Sequence, residues 1–79
     1  MSKEEIKNNV VEILEDLLDD DSIEVNEETS RENCEAWDSL LHMAFMAAVA
    51  DEFGISISTD EIIAAKDVKD VVDLVERHQ

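Results

Sequence analysis

Residues 35–53 read EAWDSLLHMAFMAAVADEF. From Leu40 to Ala50 the run is apolar except for His42, and it opens on Asp38, a residue type that caps helix N-termini well. Directly after Phe53 comes Gly54, the chain's one glycine and the residue that takes a left-handed C-terminal cap most cheaply. The stretch therefore predicts a helix from about residue 38 to residue 53. Phe45, Val49 and Phe53 recur at four-residue steps with Met46 beside them, which defines a core face. A chain of 79 residues hides only about 60% of the surface it exposes when unfolded. Leu40, Leu41, Met43, Ala44, Ala47 and Ala50 thus cannot all be buried, and part of that side is expected to form an exposed apolar strip beginning at Ser39.

On either side of this helix the pattern stays helical. Upstream, Ile6, Val10, Ile13, Leu14 and Leu17 recur at three- and four-residue steps and predict a helix over about 3–18. Ser2 with Glu5 three places later is a capping box at its start. From Asp19 to Trp37 the period vanishes; this acidic segment reads as a solvated connector, tacked to the core by Ile23 and Val25. Downstream, "ISIS" is a short extended link, Ser58 and Glu61 form a second capping box opening a brief helix through Ala65, and Val68, Val71, Val72 and Val75 share one face of a last helix. Arg77 and His78 stand near the negative end of its dipole. The fold class read from these patterns is all-α: three longer helices and one short one, in a single domain without internal repeats.

Composition narrows the partners. With 22 acidic against 6 basic residues the formal charge is −16, yet 44% of the residues are apolar, too many for a disordered acidic tail. Nucleic acid and anionic membrane are poor partners, because phosphate contacts need cations. Basic protein surfaces are the natural complement. No apolar stretch of about 20 residues is present, and the start MSKEEIKNN lacks the core of a signal peptide. A cytoplasmic setting is expected, and Cys34, the one cysteine, fits a reducing compartment. Repulsion between highly acidic copies favours a monomer.

Asp38-Ser39-Leu40 is a common helix opening that decides nothing alone, and it is the context of Ser39 that adds weight. The serine lies after a long loop at the first turn of a helix, where unpaired N–H groups and the positive dipole end favour a phosphate. His42 is three residues on, so a Ser–His hydrolase dyad is geometrically conceivable, but there is no Gly-x-Ser-x-Gly elbow and no evident oxyanion hole or orienting group. His42 reads instead as a polar residue at the exposed edge of the helix. Trp37 reads as a loop anchor packed on the bundle, and Cys34 as a small half-buried filler. A calcium loop starting at Asp19 fails, since its sixth and twelfth places hold Glu24 and Ser30 rather than Gly and Glu. No metal site is expected.

With these residues in place the chain resembles the acyl carrier proteins and related phosphopantetheine-binding carriers. The likeness spans the length, the acidity, the first helix, the long loop, "DSL" at 38–40, "DEFGISI" at 51–57, "STDEI" at 58–62 and "DVKDVVDLV" at 67–75. It implies a four-helix bundle over residues 1–79. It also implies a 4′-phosphopantetheine arm, transferred from coenzyme A to Ser39 with Asp38 and Leu40 flanking it, and a terminal thiol that carries an acyl, polyketide or aminoacyl cargo. The partners implied are a phosphopantetheinyl transferase, a loading enzyme and acyl-processing enzymes, none of whose chemistry this chain performs itself. Leu40, Met43 and Ala47 match family positions that commonly meet partner enzymes.

The chain departs from the family in one respect. Carriers of fatty-acid synthesis usually place acids about two and five residues after the serine, where this chain has Leu41 and Ala44, and Ala50 further on replaces another. A specialised carrier is expected, whose partners read Leu40, Leu41, Met43, Ala44 and Ala47 together with the acids of the loop, Asp51 and Glu52. The alternative from another class is an acidic helical adaptor that binds a basic partner and carries no arm; it needs the strip but not Ser39.

Overall fold

The computed structural model describes residues 2–79 and contains four helices: α1 (Lys3–Leu18), α2 (Ser39–Phe53), α3 (Thr59–Ala64) and α4 (Val68–Arg77). All four begin where capping chemistry places them. Ser2 and Ser58 each close a capping box, with Glu5 and Glu61 respectively, while Asp38 and Asp67 accept from the N–H groups of Leu41 and Asp70. Helix α2 stops at Gly54, held at φ 63°. An added Cβ there would meet no atom within 4 Å, so the position requires glycine's backbone freedom rather than its small size.

The three longer helices form the bundle, with α1 packed against both α2 and α4. Ile6, Val10 and Leu14 of α1 meet Phe45, Met46 and Val49 of α2 and Val68, Val71, Val72 and Val75 of α4 in one buried cluster. Each such side chain contributes about 1.5–3 kcal/mol by leaving water. Phe53 and Ile13 complete the periphery. The short α3 buries none of its own residues fully; it is held to the bundle by Ile62, half-buried against the core cluster, and by polar contacts described below.

The segment 19–38 differs from a solvated connector. It is a strap whose apolar residues enter the core: Val25, Cys34 and Trp37 are buried and Ile23 packs against them. Thr29 is buried as well, its backbone held by Asn26 and its hydroxyl accepting from the Asn26 N–H at 2.9 Å. The Asn33 side chain ties the next turn, accepting from Ser30 N–H at 2.9 Å and donating to the Glu28 carbonyl at 3.0 Å. Backbone bonds then fasten the strap to the start of α4: Val68 N–H to Thr29 O at 3.0 Å, Arg31 N–H to Lys66 O at 3.1 Å, and an isolated antiparallel bridge between Ser30 and Asp67. These bonds satisfy peptide groups that helices would otherwise satisfy, which is how a long loop stays compact.

Candidate functional site

Ser39 is the first residue of α2 and is exposed. Asp38 fixes its backbone, taking the Leu41 N–H on its carboxylate at 2.8 Å and the His42 N–H on its carbonyl at 2.9 Å. The N–H groups of Ser39 and Leu40 have no carbonyl a turn earlier within the helix, so they face the serine's surroundings with the positive end of the dipole. The serine Oγ accepts a hydrogen bond from Arg31 Nη2 at 3.0 Å. Arg31 and Lys66 line the recess beside Ser39, together with acids of the strap such as Glu28, Glu32 and Glu35. This arginine was not legible in the sequence as a site residue. It lies eight residues from the serine in a segment without period, and only its being a lone cation in an acidic stretch could have flagged it.

The structure overturns the exposed placement of His42. The ring is 3% exposed and both nitrogens are engaged. Trp37 Nε1–H donates to His42 Nδ1 at 3.0 Å, and His42 Nε2 lies 2.7 Å from the Ile62 carbonyl. An indole nitrogen only donates, so Nδ1 is the acceptor and the proton sits on Nε2, given to Ile62. A neutral imidazole spent in this way cannot serve Ser39 as a base, and the dyad reading falls. Trp37 is the loop anchor expected, 1% exposed and edge-on to Phe45 at 5.4 Å between ring centroids. Cys34 is buried more completely than a half-buried filler, at 7% exposed.

The apolar strip is present in the main. Leu40 and Met43 are 82% and 55% exposed, and Ala44 and Ala47 are exposed beside them. Leu41 and Ala50 are the exceptions: both are half-buried, and Leu41 packs against the core, so it serves both faces. Ile63 on α3, not singled out in the sequence, is 68% exposed. No acid stands in the first turn of α2. Asp51 and Glu52 are exposed at its far end. Among the described residues no group of three or more His, Cys, Asp or Glu could hold a metal, and no helix is long and apolar enough to cross a membrane.

Comparison with known proteins agrees with this geometry. Residues 8–75 match the family described as a phosphopantetheine attachment site. An acyl carrier protein of Lactobacillus acidophilus is 34% identical over 79 residues, covering 100% of this chain and 99% of its own. The solution NMR structure of a holo acyl carrier protein from Geobacter metallireducens is similar with a TM-score of 0.79 and 33% identity, over 91% of this chain and 83% of that one. A putative acyl carrier protein from Mycobacterium tuberculosis shares the fold, with a TM-score of 0.82 at 22% identity over 91% and 96% of the two chains.

Proposed function

Because this chain belongs to the phosphopantetheine-attachment family of acyl carrier proteins, we propose that Ser39 is the residue bearing its 4′-phosphopantetheine arm and that residues 1–79 form one acyl-carrier-type domain. The observation that carries the assignment is the exposed Ser39 Oγ at the first turn of α2, 3.0 Å from the Arg31 guanidinium. The surroundings fit a phosphodiester: helix N–H groups, a guanidinium and the Lys66 ammonium are the donors such a group needs. The arm, when bound, supplies a terminal thiol that holds an acyl group as a thioester. Everything else is the work of this chain's own residues. Asp38 fixes the helix start so that the hydroxyl points outward, and the packed strap keeps the serine in one place.

The protein is a carrier and not an enzyme. A phosphopantetheinyl transferase supplies the base and the metal for loading, and acyl-processing enzymes act on the cargo. A small rigid bundle with a tethered substrate raises the effective concentration of that substrate in each docked active site. Leu40, Met43, Ala44 and Ala47, with the exposed edge of Leu41, form the docking strip, and their apolar character where fatty-acid carriers usually place acids supports a specialised lipid or polyketide role. A cytoplasmic monomer is the form proposed. The adaptor reading, in which no arm is carried, has no support from the family match.

Incubation with coenzyme A, magnesium and a broadly acting transferase tests the proposal. The wild-type chain gains one phosphopantetheine by intact mass and Ser39→Ala gains none. An equal gain in both would remove Ser39 from its role.

A further inference from the structure

Between Lys7 and Lys66 the chain has one Lys or Arg side chain, Arg31, and that side chain touches Ser39. Its placement is held from several sides. The backbone N–H of Arg31 bonds to Lys66 O at 3.1 Å, the neighbouring Ser30 bridges to Asp67, and Val68 N–H bonds to Thr29 O at 3.0 Å, so the strap and the start of α4 hold the arginine as a unit. Of the six Lys and Arg residues, Lys3, Lys7 and Arg77 pair with acids, while Lys69, on α4, lies outside the recess beside Ser39. Among the described residues Arg31 and Lys66 form no ion pair within 4.0 Å, although Glu28, Glu32 and Glu35 line the same recess. A guanidinium that passes over nearby carboxylates and donates to a neutral hydroxyl leaves most of its planar, multi-donor fork for another acceptor at that place.

Resting on Ser39 as the attachment site, we propose that Arg31 is a positioning residue for the arm: its guanidinium holds the non-bridging oxygens of the phosphodiester against the strap, with Lys66 as the second cation across the recess. A chain of charge −16 repels a phosphate over its whole surface, and the acids of the recess add to that repulsion. Without a contacting cation the phosphate swings outward as far as its ester bond allows. With Arg31 in place the arm leaves the protein from a fixed point, which narrows the volume its thiol searches. Arginine suits the task better than lysine because its paired N–H groups match two phosphate oxygens at once.

The test uses protein loaded with phosphopantetheine from coenzyme A, with loading verified by mass, for wild type, Arg31→Ala and Arg31→Lys. The 31P NMR relaxation of the phosphodiester reads how tightly it is held. Wild type is expected to relax with the tumbling of the folded protein. Arg31→Ala shifts it toward a free linker, with the held fraction falling roughly tenfold, the effect of losing one charge-assisted hydrogen bond. Arg31→Lys falls between the two. The Arg31 Nε–Hε signal in the wild-type protein gives a second reading that needs no variant: it moves and exchanges more slowly on loading. Unchanged phosphorus relaxation in Arg31→Ala, or an Arg31 signal indifferent to loading, overturns the inference while leaving Ser39 as the site. A wild-type chain that accepts no arm removes the site and the inference together.

Discussion

Trp37 and His42 are joined inside the bundle by a 3.0 Å hydrogen bond from the indole Nε1–H to the imidazole Nδ1, and the same ring reaches the Ile62 carbonyl at 2.7 Å. Three elements meet at that ring: the strap through Trp37, α2 through His42 and α3 through Ile62. Since α3 buries no residue of its own fully, the imidazole adds a tie to the bundle beside the packing of Ile62 and the contact of Glu61 with His78. His42→Ala leaves a buried indole N–H and a carbonyl without partners, and each such loss costs about 1–3 kcal/mol. Denaturant unfolding is expected to show a loss of about 2–4 kcal/mol in total, and a double-mutant cycle with Trp37→Phe a coupling of about 0.5–3 kcal/mol. Additive effects at the two sites would contradict the tie.

Charge repulsion predicts a dependence on ions. The chain's −16 charge opposes compaction, and added salt shortens the range of that repulsion to about 10 Å at 0.1 M. The melting temperature is expected to rise as sodium chloride goes from about 0.01 M to about 0.5 M, and magnesium at equal ionic strength to act more strongly. Scanning calorimetry checks both, and a flat response would contradict the expectation.

Glu61 predicts an acid effect confined to one window. The Ser58 N–H and then the His78 ring hold its carboxyl down to about 2, from an ordinary value of 4.5. A group depressed on folding contributes stability above its unfolded value and loses it as pH falls toward its folded value. The stability difference between wild type and Glu61→Gln is therefore expected to be largest above pH 4.5 and to shrink toward pH 2. Other carboxylates titrate in both proteins and cancel in the difference. Unfolding measured at several pH values checks this, and a difference that grows toward acid would reverse the assignment.

Gly54 sits at φ 63° with room for a methyl group. Gly54→Ala is expected to cost about 1 kcal/mol through the left-handed backbone alone. A neutral substitution, measured by thermal unfolding, would mean that the α2 terminus can relax without loss.

The proposed docking strip separates from stability. Leu40 and Met43 are 82% and 55% exposed, so Met43→Glu is expected to leave unfolding within about 0.5 kcal/mol of wild type. Transfer to a partner that reads an apolar strip is expected to slow, because the new carboxylate must be desolvated on docking. Loading and acyl-transfer rates check this; an unchanged rate with every partner tested would place docking elsewhere.

The helices were legible from caps, Ser2 with Glu5, Asp38 with Gly54 and Ser58 with Glu61, and in α1 and α4 from a 3.6-residue apolar period. The place of Ser39 at the first turn of α2 was legible from the Asp38 cap, and its proposed role came from the family resemblance. The strap was not, since its fastening depends on single long-range pairs such as Ser30 with Asp67 that leave no local period. His42 was misplaced for a related reason. Helix α2 is apolar almost all round, so no polar face marks its exposed side, and a histidine with two buried partners resembles a surface histidine until Trp37 and the Ile62 carbonyl are seen beside it. Arg31 escaped because its contact with Ser39 depends on how the strap turns.

The most direct measurement of the central claim is fragmentation mass spectrometry of the tryptic peptide 32–66 from loaded protein, which holds Ser39, Ser56 and Ser58 between the cleavage points at Arg31 and Lys66. The account predicts the phosphopantetheine mass on Ser39 alone. An arm found on Ser56, Ser58 or a residue outside this peptide would contradict it.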